Sequence, residues 1–586
     1  MSALSATTAS PRSALPEPKP RWRSNFAALV ALLFAAVLCR IPVLINAGGV
    51  HADAAIIGLQ AQHILRGEWS WFIWGTNYQG SVDPLLVALG FAIGGATPLT
   101  LMLVPLVGHL LLLGFTFATL RRHLTLALAC AATLPVVFTP QAINGVALYA
   151  PRQWAITLVI AAIWLLDGAG ETHRHYPNHE FTTGDYGAVI YRRQLPRYAL
   201  GAALGGFALY LDLFAAQFIP ALGLFALACC YDSWPARSIV ARRVGSCAAG
   251  LACSLVALAL SRLAVIASPN SVKGGALSVE QLRRNATLLW EQSLPWLLSY
   301  GIYIPGAQLY PARWQPPAAF ALTQIAGAAL LIVGIAWGGI ALIRGHEDWR
   351  PGAYAARFIA RRQPWPAYRL GAFGCLVAAT SLVGFLASSS PVDMWAARYL
   401  APIIWAAPFA LVPAARSLGT RRFLPALAPY VVAAAVGGWL SCGTYVQGLL
   451  PVQDPRGAAT EEAQLGAALR SRGVAYAAAQ YWLAYRLTFL WNEAPMVVPL
   501  DPQNDRYPPY RHAYAEAATI AYLFDTTDPR ADAASCEASL HATGGRYERV
   551  TVANFTALVW SRGAGVPDAA GCVAATAQQS APSAKK

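Results

Sequence analysis

Residues 199–230 read ALGAALGGFALYLDLFAAQFIPALGLFALACC. The run is apolar, but it is longer than one straight crossing, which takes about 20 residues. Asp212 stands in its middle. Either one long helix carries a charge through the membrane, or two short helices meet at Asp212. The neighbouring basic residues decide. Two helices place Arg237, Arg242 and Arg243 on the same side as Arg121 and Arg122. They also bring Arg344, Arg350, Arg357, Arg361, Arg362, Arg369, Arg416, Arg421 and Arg422 to that side, as the positive-inside rule requires. The apolar stretch 85–96 is settled by the same parity. It is too short to span and is expected to be an interfacial or re-entrant helix.

Working outward, the expected spans are roughly 24–46, 98–120, 123–139, 152–168, 198–211, 213–231, 245–266, 318–343, 370–387, 398–415 and 424–446, about eleven in all. Composition agrees. Of 586 residues 56% are hydrophobic and only 12% charged, where a soluble chain carries about 25% charged residues. The net charge of +15 is almost entirely arginine, with lysine only at Lys19, Lys273, Lys585 and Lys586. Because the arginines lie in short loops between apolar runs, a nucleic-acid partner is excluded. The alanine-rich, lysine-poor usage correlates with bacterial origin. The expected location is a bacterial inner membrane, with the N-terminus cytoplasmic. Residues 1–23 are Pro-rich and polar and are expected to be disordered. The first run has no cleavage site and reads as an uncleaved anchor. Cys39, Cys130, Cys229, Cys230, Cys247, Cys253, Cys375 and Cys442 fall in apolar runs and read as core residues.

The C-terminal part is a different kind of sequence. Helix-like 461–472 and 480–491 alternate with β-prone 474–478, 495–500, 519–524, 546–550 and 552–560. The fold class is therefore an all-α polytopic membrane domain over 24–446, with a small α/β domain over 447–562 on the outer side. A low-complexity tail follows from 563 to 586. Cys536 and Cys572 lie in this polar region and could pair there.

The first outer loop, residues 48–95, reads GGVHADAAIIGLQAQHILRGEWSWFIWGTNYQGSVDPLLVALGFAIGG. It is aromatic and poor in basic residues. Asp53 opens a helix-like stretch and Asp83 precedes Pro84, so capping explains both by local pattern. A carboxylate at a helix N-terminus is also favoured in its ionised form, as a weak base.

The runs HADAAIIGLQAQHILRGEW and YQGSVDPLLVALGFAIGG resemble the first outer loop of the GT-C glycosyltransferases. They are most similar to the bacterial branch with the aminoarabinose transferase and the protein O-mannosyltransferases. Asp53 and Asp83 match that loop's two acidic positions. Many members carry Asp-Glu at the first position; Asp53-Ala54 here leaves Asp53 alone. Arg398-Tyr399-Leu400-Ala401-Pro402 resembles the branch's RYLLP-type segment. YWLAYRLTFL (481–490) and RYPPY (506–510) are similar to sequences in bacterial members.

The resemblance implies inverting transfer of a sugar from a polyprenyl-phosphate donor to a lipid, glycan or protein acceptor. A carboxylate serves as base, and positive charge meets the departing phosphate. Asp53 is the first choice for the base and Asp83 the second. Outer arginines at span ends are candidates for the phosphate because their planar fork holds two oxygens. Arg398, Arg313 and Arg152 are such residues, with Tyr399 beside them and His51 and Glu68 nearby. Lys273, Arg283 and Arg284 lie in a long outer loop. Snorkelling or pairing explains any one of these charges equally well. His173, His175 and His179 sit in a polar cytoplasmic loop and read as solvated rather than metal-binding, and no cofactor is implied. Asp212 is expected at the outer interface; at greater depth it becomes a functional candidate. A flippase for a lipid-linked sugar, or a non-catalytic lipid-glycan binding protein, are the other readings.

Overall fold

The computed structural model describes residues 22–45, 47–144, 148–149, 151–169, 185–231, 237–263, 278–304, 312–345, 365–445, 455–526, 528, 532–542, 546–561 and 572. The expectations for residues 1–21, for His173, His175, His179 and Lys273, for Arg350, Arg357, Arg361 and Arg362, and for the tail from 573 fall outside them.

Among the described residues six helices are long and apolar enough to cross a membrane: Pro98–His123, Leu213–Tyr231, Arg237–Ser261, Ala318–Ile340, Tyr368–Ala387 and Val412–Leu440. Shorter apolar helices are Trp22–Leu38, Val82–Gly94, Leu126–Val137 and Gln153–Ala169. The protein is a multi-pass membrane protein. The run that opened the sequence analysis breaks at Asp212, as expected. The Asp185–Leu211 helix ends there, and the Asp212 carboxylate accepts from the Phe214 N–H at 2.8 Å. That bond caps a short turn, Leu213–Phe218, before the helix Ile219–Tyr231. Near the C-terminal end of the bundle the expected boundaries shift. A helix Ala401–Ala410 is followed by Val412–Tyr445, which bends at Gly419. Gly419 has φ 65°, a conformation open to glycine without strain.

Two buried arrangements of charge fix the helix ends. Arg40, fully buried, donates to Ala36 O at 2.8 Å, Val137 O at 3.3 Å and the Thr139 hydroxyl at 3.1 Å. Ala36 and Val137 belong to the last turns of two helices, where unpaired carbonyls and the helix dipole favour a cation. The second arrangement centres on Asp167, in the last turn of the helix that starts at Gln153. Its carboxylate is inaccessible to solvent and meets His123 at 2.8 Å, Arg369 at 3.0 Å and Arg122 at 3.4 Å. Three helices are joined through one anion.

Strands β1 (Tyr303–Ile304) and β2 (Ala312–Arg313) form a small antiparallel ribbon. The C-terminal sheet contains β3 (Tyr476–Ala479), β4 (Met496–Pro499), β5 (Thr519–Asp525), β6 (Tyr547–Val552) and β7 (Phe555–Ser561), in the order β4-β3-β5-β7-β6. β3 runs parallel to β4 and β5, while β5, β7 and β6 are antiparallel. Parallel neighbours need crossovers. The helices Tyr481–Leu490 and Pro508–Glu516 supply them. Cys536 and Cys572 form a disulfide. One face of the sheet shares its core with the loop: Ile56, Ile57 and Phe91 pack in one cluster with Tyr485, Phe489 and Tyr514. The C-terminal unit is thus seated on the first loop by apolar contact.

Removing one partner from a buried charge cluster leaves the others uncompensated, at a cost of about 3–5 kcal/mol. Asp167→Ala is expected to lower the thermal stability of the detergent-solubilised protein by that order. Arg152, at the far end of the same helix, should be unaffected, so ligand binding there should persist in the folded fraction. Thermal unfolding and binding on the same sample check both points.

Candidate active site

The first loop folds into two short helices, Ala52–Leu65 and Val82–Gly94. Asp53 is not the cap of the first. His51 is: its Nδ1 accepts the Asp53 backbone N–H at 3.4 Å. The Asp53 side chain is thereby free of the helix terminus and accepts from two phenols. Tyr149 donates to Oδ2 at 3.0 Å and Tyr481 to Oδ1 at 2.5 Å. Tyr149 lies just before the helix Gln153–Ala169; Tyr481 opens the helix after β3. Arg506 stands behind, donating from Nε to the Tyr481 hydroxyl at 3.2 Å and from a terminal nitrogen to Gly75 O at 3.2 Å. Gly75 has φ 68°, and a Cβ there would fall 2.9 Å from the Arg506 Cα, so the close approach requires glycine. Burial pushes the Asp53 carboxyl up. His51, the Tyr481 hydrogen bond, Arg506 and Tyr149 outweigh burial and hold it below the usual carboxylate range.

These groups face a cavity of about 360 Å³. Arg152, Arg398 and Arg506 line it with Asp53, and so do Trp74, Tyr78, Tyr399 and Trp482. Arg152 pairs with Asp212 at 3.3 Å and lies 5.8 Å from the Tyr399 ring centre. Burial pulls the Arg152 guanidinium down, but Asp212 more than offsets it and raises it. Its backbone has φ 84°, a left-handed conformation costing about 1–3 kcal/mol in a non-glycine residue. Arg398 lies 5.3 Å from the same Tyr399 ring. Its Nε is buried and has no hydrogen-bond partner among the described residues.

Asp212 is buried, 2% exposed, receives Gln79 Nε2 at 2.9 Å, and bridges the Gln79 backbone. Its pairing with Arg152 makes it the support of that cavity residue.

The structure therefore brings together Asp53, Arg152, Arg398 and Tyr399, with His51 as cap at the rim. It does not bring in three other expected residues. Asp83 is neither a cap nor a cavity residue. Ser81 occupies the cap position, and Asp83 is 1% exposed with both carboxyl oxygens lacking hydrogen-bond partners among the described residues. Burial, then Asp212, pushes its carboxyl well above the usual range. Arg313 is held in the β1–β2 ribbon, is exposed and donates to Tyr300 O at 3.3 Å. Glu68 turns to His63 at 2.8 Å and accepts from Tyr507, away from the cavity. Arg284 likewise donates to Pro391 O. Tyr149, Tyr481, Trp482 and Arg506 were missed. Three of the four lie in YWLAYRLTFL and RYPPY, so the signal was that resemblance.

A second polar network seats the C-terminal unit. His63 on the loop helix lies between Glu68 at 2.8 Å and Glu493 at 2.6 Å. Arg66 also reaches Glu493, at 2.5 Å, and Tyr510 donates to it. Trp74 stacks on Tyr507 at 4.0 Å. Burial lowers His63, but its hydrogen bonds to the Glu493 and Glu68 carboxylates prevail and raise it. Burial raises Glu493, but His63, Tyr510 and Arg66 prevail and bring it down to about 2. The His63 contribution is complete below its unfolded value of about 6.5 and is lost as pH rises through the raised folded value. The Glu493 contribution is present above its unfolded value of about 4.3 and is lost as pH falls towards 2. Seating is expected to be tightest between those unfolded values and to loosen on the alkaline side. Amide-exchange protection in the helix Tyr481–Leu490, taken relative to the intrinsic base-catalysed rate from about pH 5 to 9, should fall with pH in the native protein and lose that fall in His63→Gln.

No family model matches the sequence, and no curated protein matches it. Among solved structures the chain is similar to ArnT from Cupriavidus metallidurans bound to undecaprenyl phosphate. That match has 12% identity, 92% of this chain and 98% of that one covered, and a TM-score of 0.48. It is also similar to the oligosaccharyltransferase AglB from Archaeoglobus fulgidus in complex with an inhibitory peptide and a dolichol-phosphate, at 12% identity, 94% and 75% coverage and a TM-score of 0.41. The apo form of that archaeal oligosaccharyltransferase aligns at 12% identity over 86% of this chain and 70% of its own, with a TM-score of 0.42. Along most of its length the chain is thus similar to these glycosyltransferases.

Proposed function

We propose that the protein is a glycosyltransferase that moves a sugar from a polyprenyl-phosphate donor to an acceptor hydroxyl, with inversion, on the side away from the cytoplasm. The observation that carries this reading is a partly buried carboxylate, held below its usual range, sharing one cavity with three arginines.

Asp53 accepts one phenol on each oxygen and keeps lone pairs for an acceptor hydroxyl. As the acceptor oxygen bonds to the anomeric carbon, its proton passes to Asp53. Phosphate departs on the opposite face without needing a general acid, because the positive charge is already in place. Arg398 is best suited to the phosphate, since its guanidinium has no acidic partner among the described residues. Arg152 is tied to Asp212, and Arg506 to Tyr481 and Gly75. Trp74, Trp482 and Tyr78 offer aromatic faces to the sugar ring. Supporting the side are the arginine parity and the Cys536–Cys572 disulfide, a bond that persists in oxidising compartments.

With a polyprenyl-phosphate sugar, Asp53→Asn is expected to lower turnover by about 10²–10⁴-fold, the usual contribution of a general base, while donor binding persists. Wild-type turnover in that variant would reject Asp53 as base, whereas absence of turnover in the native protein would favour a carrier or binding protein. Arg398→Ala should weaken donor binding, and Arg398→Lys should restore it only in part, because a point charge does not reproduce a planar fork. Titration of both variants with polyprenyl phosphate measures this.

A further inference from the structure

The charge in the cavity can be counted. Among the described residues, Arg152, Arg398 and Arg506 are its cations and Asp53 its anion. Asp212, 3.3 Å behind Arg152, is the second anion. Three guanidinium groups less two carboxylates leave a single positive charge. Both carboxylates are already engaged. Asp212 receives Arg152, Gln79 and the Phe214 N–H. Asp53 receives Tyr149 and Tyr481. The remaining wall is aromatic, aliphatic or neutral polar, including Thr76, Gln79 and Asn504.

Resting on the transferase reading, we infer that the donor carries one negative charge in total, on a monophosphate diester, and that the sugar it delivers is electrically neutral. An amino sugar would bring an ammonium group among three arginines, and the one carboxylate with lone pairs still open, Asp53, is the one the acceptor hydroxyl needs. A uronic acid, or a pyrophosphate in place of the monophosphate, would bring one anion too many. A charge left without a partner beside these groups is costly in each case.

The same count holds through transfer. The acceptor oxygen bonds to the anomeric carbon. The bond from that carbon to the phosphate oxygen breaks, and its electron pair stays on the phosphate. The acceptor proton ends on Asp53. The site then carries two positive charges, and the leaving group is a phosphate monoester. With a second pKa near 6, that monoester is largely a dianion at neutral pH. Product is therefore held while Asp53 keeps the proton and is released when the proton leaves.

The test uses the full-length protein in detergent and lipids of one chain length: polyprenyl phosphate, polyprenyl pyrophosphate, and polyprenyl-phosphate donors bearing a neutral hexose, an amino sugar or a uronic acid. The neutral donor is expected to bind about tenfold tighter than either charged-sugar donor. Asp53→Asn, which mimics the protonated base, is expected to bind polyprenyl phosphate about tenfold tighter than wild type above about pH 7. The gap should narrow to about threefold at about pH 5, where the monoester is a monoanion and the repulsion is halved. Equal or tighter binding of a charged-sugar donor would overturn the inference while leaving the transferase reading in place. So would an Asp53→Asn variant without tighter product binding. Failure of every lipid phosphate to bind would overturn both. The donor series on the wild-type protein stands even where the variant folds poorly.

Discussion

An aspartate buried in a protein interior takes up a proton unless other groups stabilise its charge. Asp53 keeps its charge because two phenols and a histidine-capped helix turn surround it. The phenols come from 96 and 428 residues away in the chain. That distance is the constraint the architecture satisfies. Tyr149 requires the bundle helix that starts at Gln153 to stand beside the loop. Tyr481 requires the C-terminal sheet to be seated on that loop in one orientation. The apolar cluster of Ile56, Ile57, Phe91, Tyr485 and Phe489 supplies the seat. The Trp74–Tyr507 stack and the His63–Glu493 pair give it direction.

The bundle contributes by sorting charge. Arg122, Arg369 and His123 gather on Asp167 at the end of the helix that Arg152 precedes. Arg152 and Arg398 stand at the other end, facing the loop. Arg40 appears at first to break this sorting, since it is buried with no carboxylate in its hydrogen-bonding shell. The carbonyl ends of two helices take the place of that carboxylate, as the dipole at a helix C-terminus allows. Arginines left at the cavity end, with nothing but Asp212 and aromatic rings to meet, are therefore available to an incoming anion.

Much of this was legible in the chain, because hydropathy and arginine parity act over short distances. The break at Asp212, the short 82–94 helix, the strands from Tyr476 onward and the Cys536–Cys572 pair all follow local signals. Arg152 and Arg398 could be chosen because each stands at the end of an apolar run away from the basic short loops. Arg313 carried the same signal and failed, since a two-residue ribbon turns it outward. Glu68 failed because its partner, His63, shares a helix face that meets Glu493 and Tyr507. Tyr481 and Arg506 were not assignable as site residues. Their role depends on how a sheet docks, which no periodicity encodes.

Asp53 and Asp83 show most directly where local pattern ends. Each is the second residue of its helix, after a cap residue that is not an aspartate: His51 in one case and Ser81 in the other. Helix polarity favours the ionised form equally at both positions. Yet Asp53, partly buried, is held down by the donors around it, while Asp83, more deeply buried and without a donor among the described residues, is pushed up. The dipole contribution, about 0.3–1 kcal/mol at ordinary exposure, is smaller than the several kcal/mol that separate a solvated from an unsolvated carboxylate. Solvent access and hydrogen bonds from distant segments therefore set the two carboxylates apart. A chain that lost the C-terminal sheet would keep both helices and both aspartates, but it would lose Tyr481 and Arg506, part of what sets Asp53 apart from Asp83.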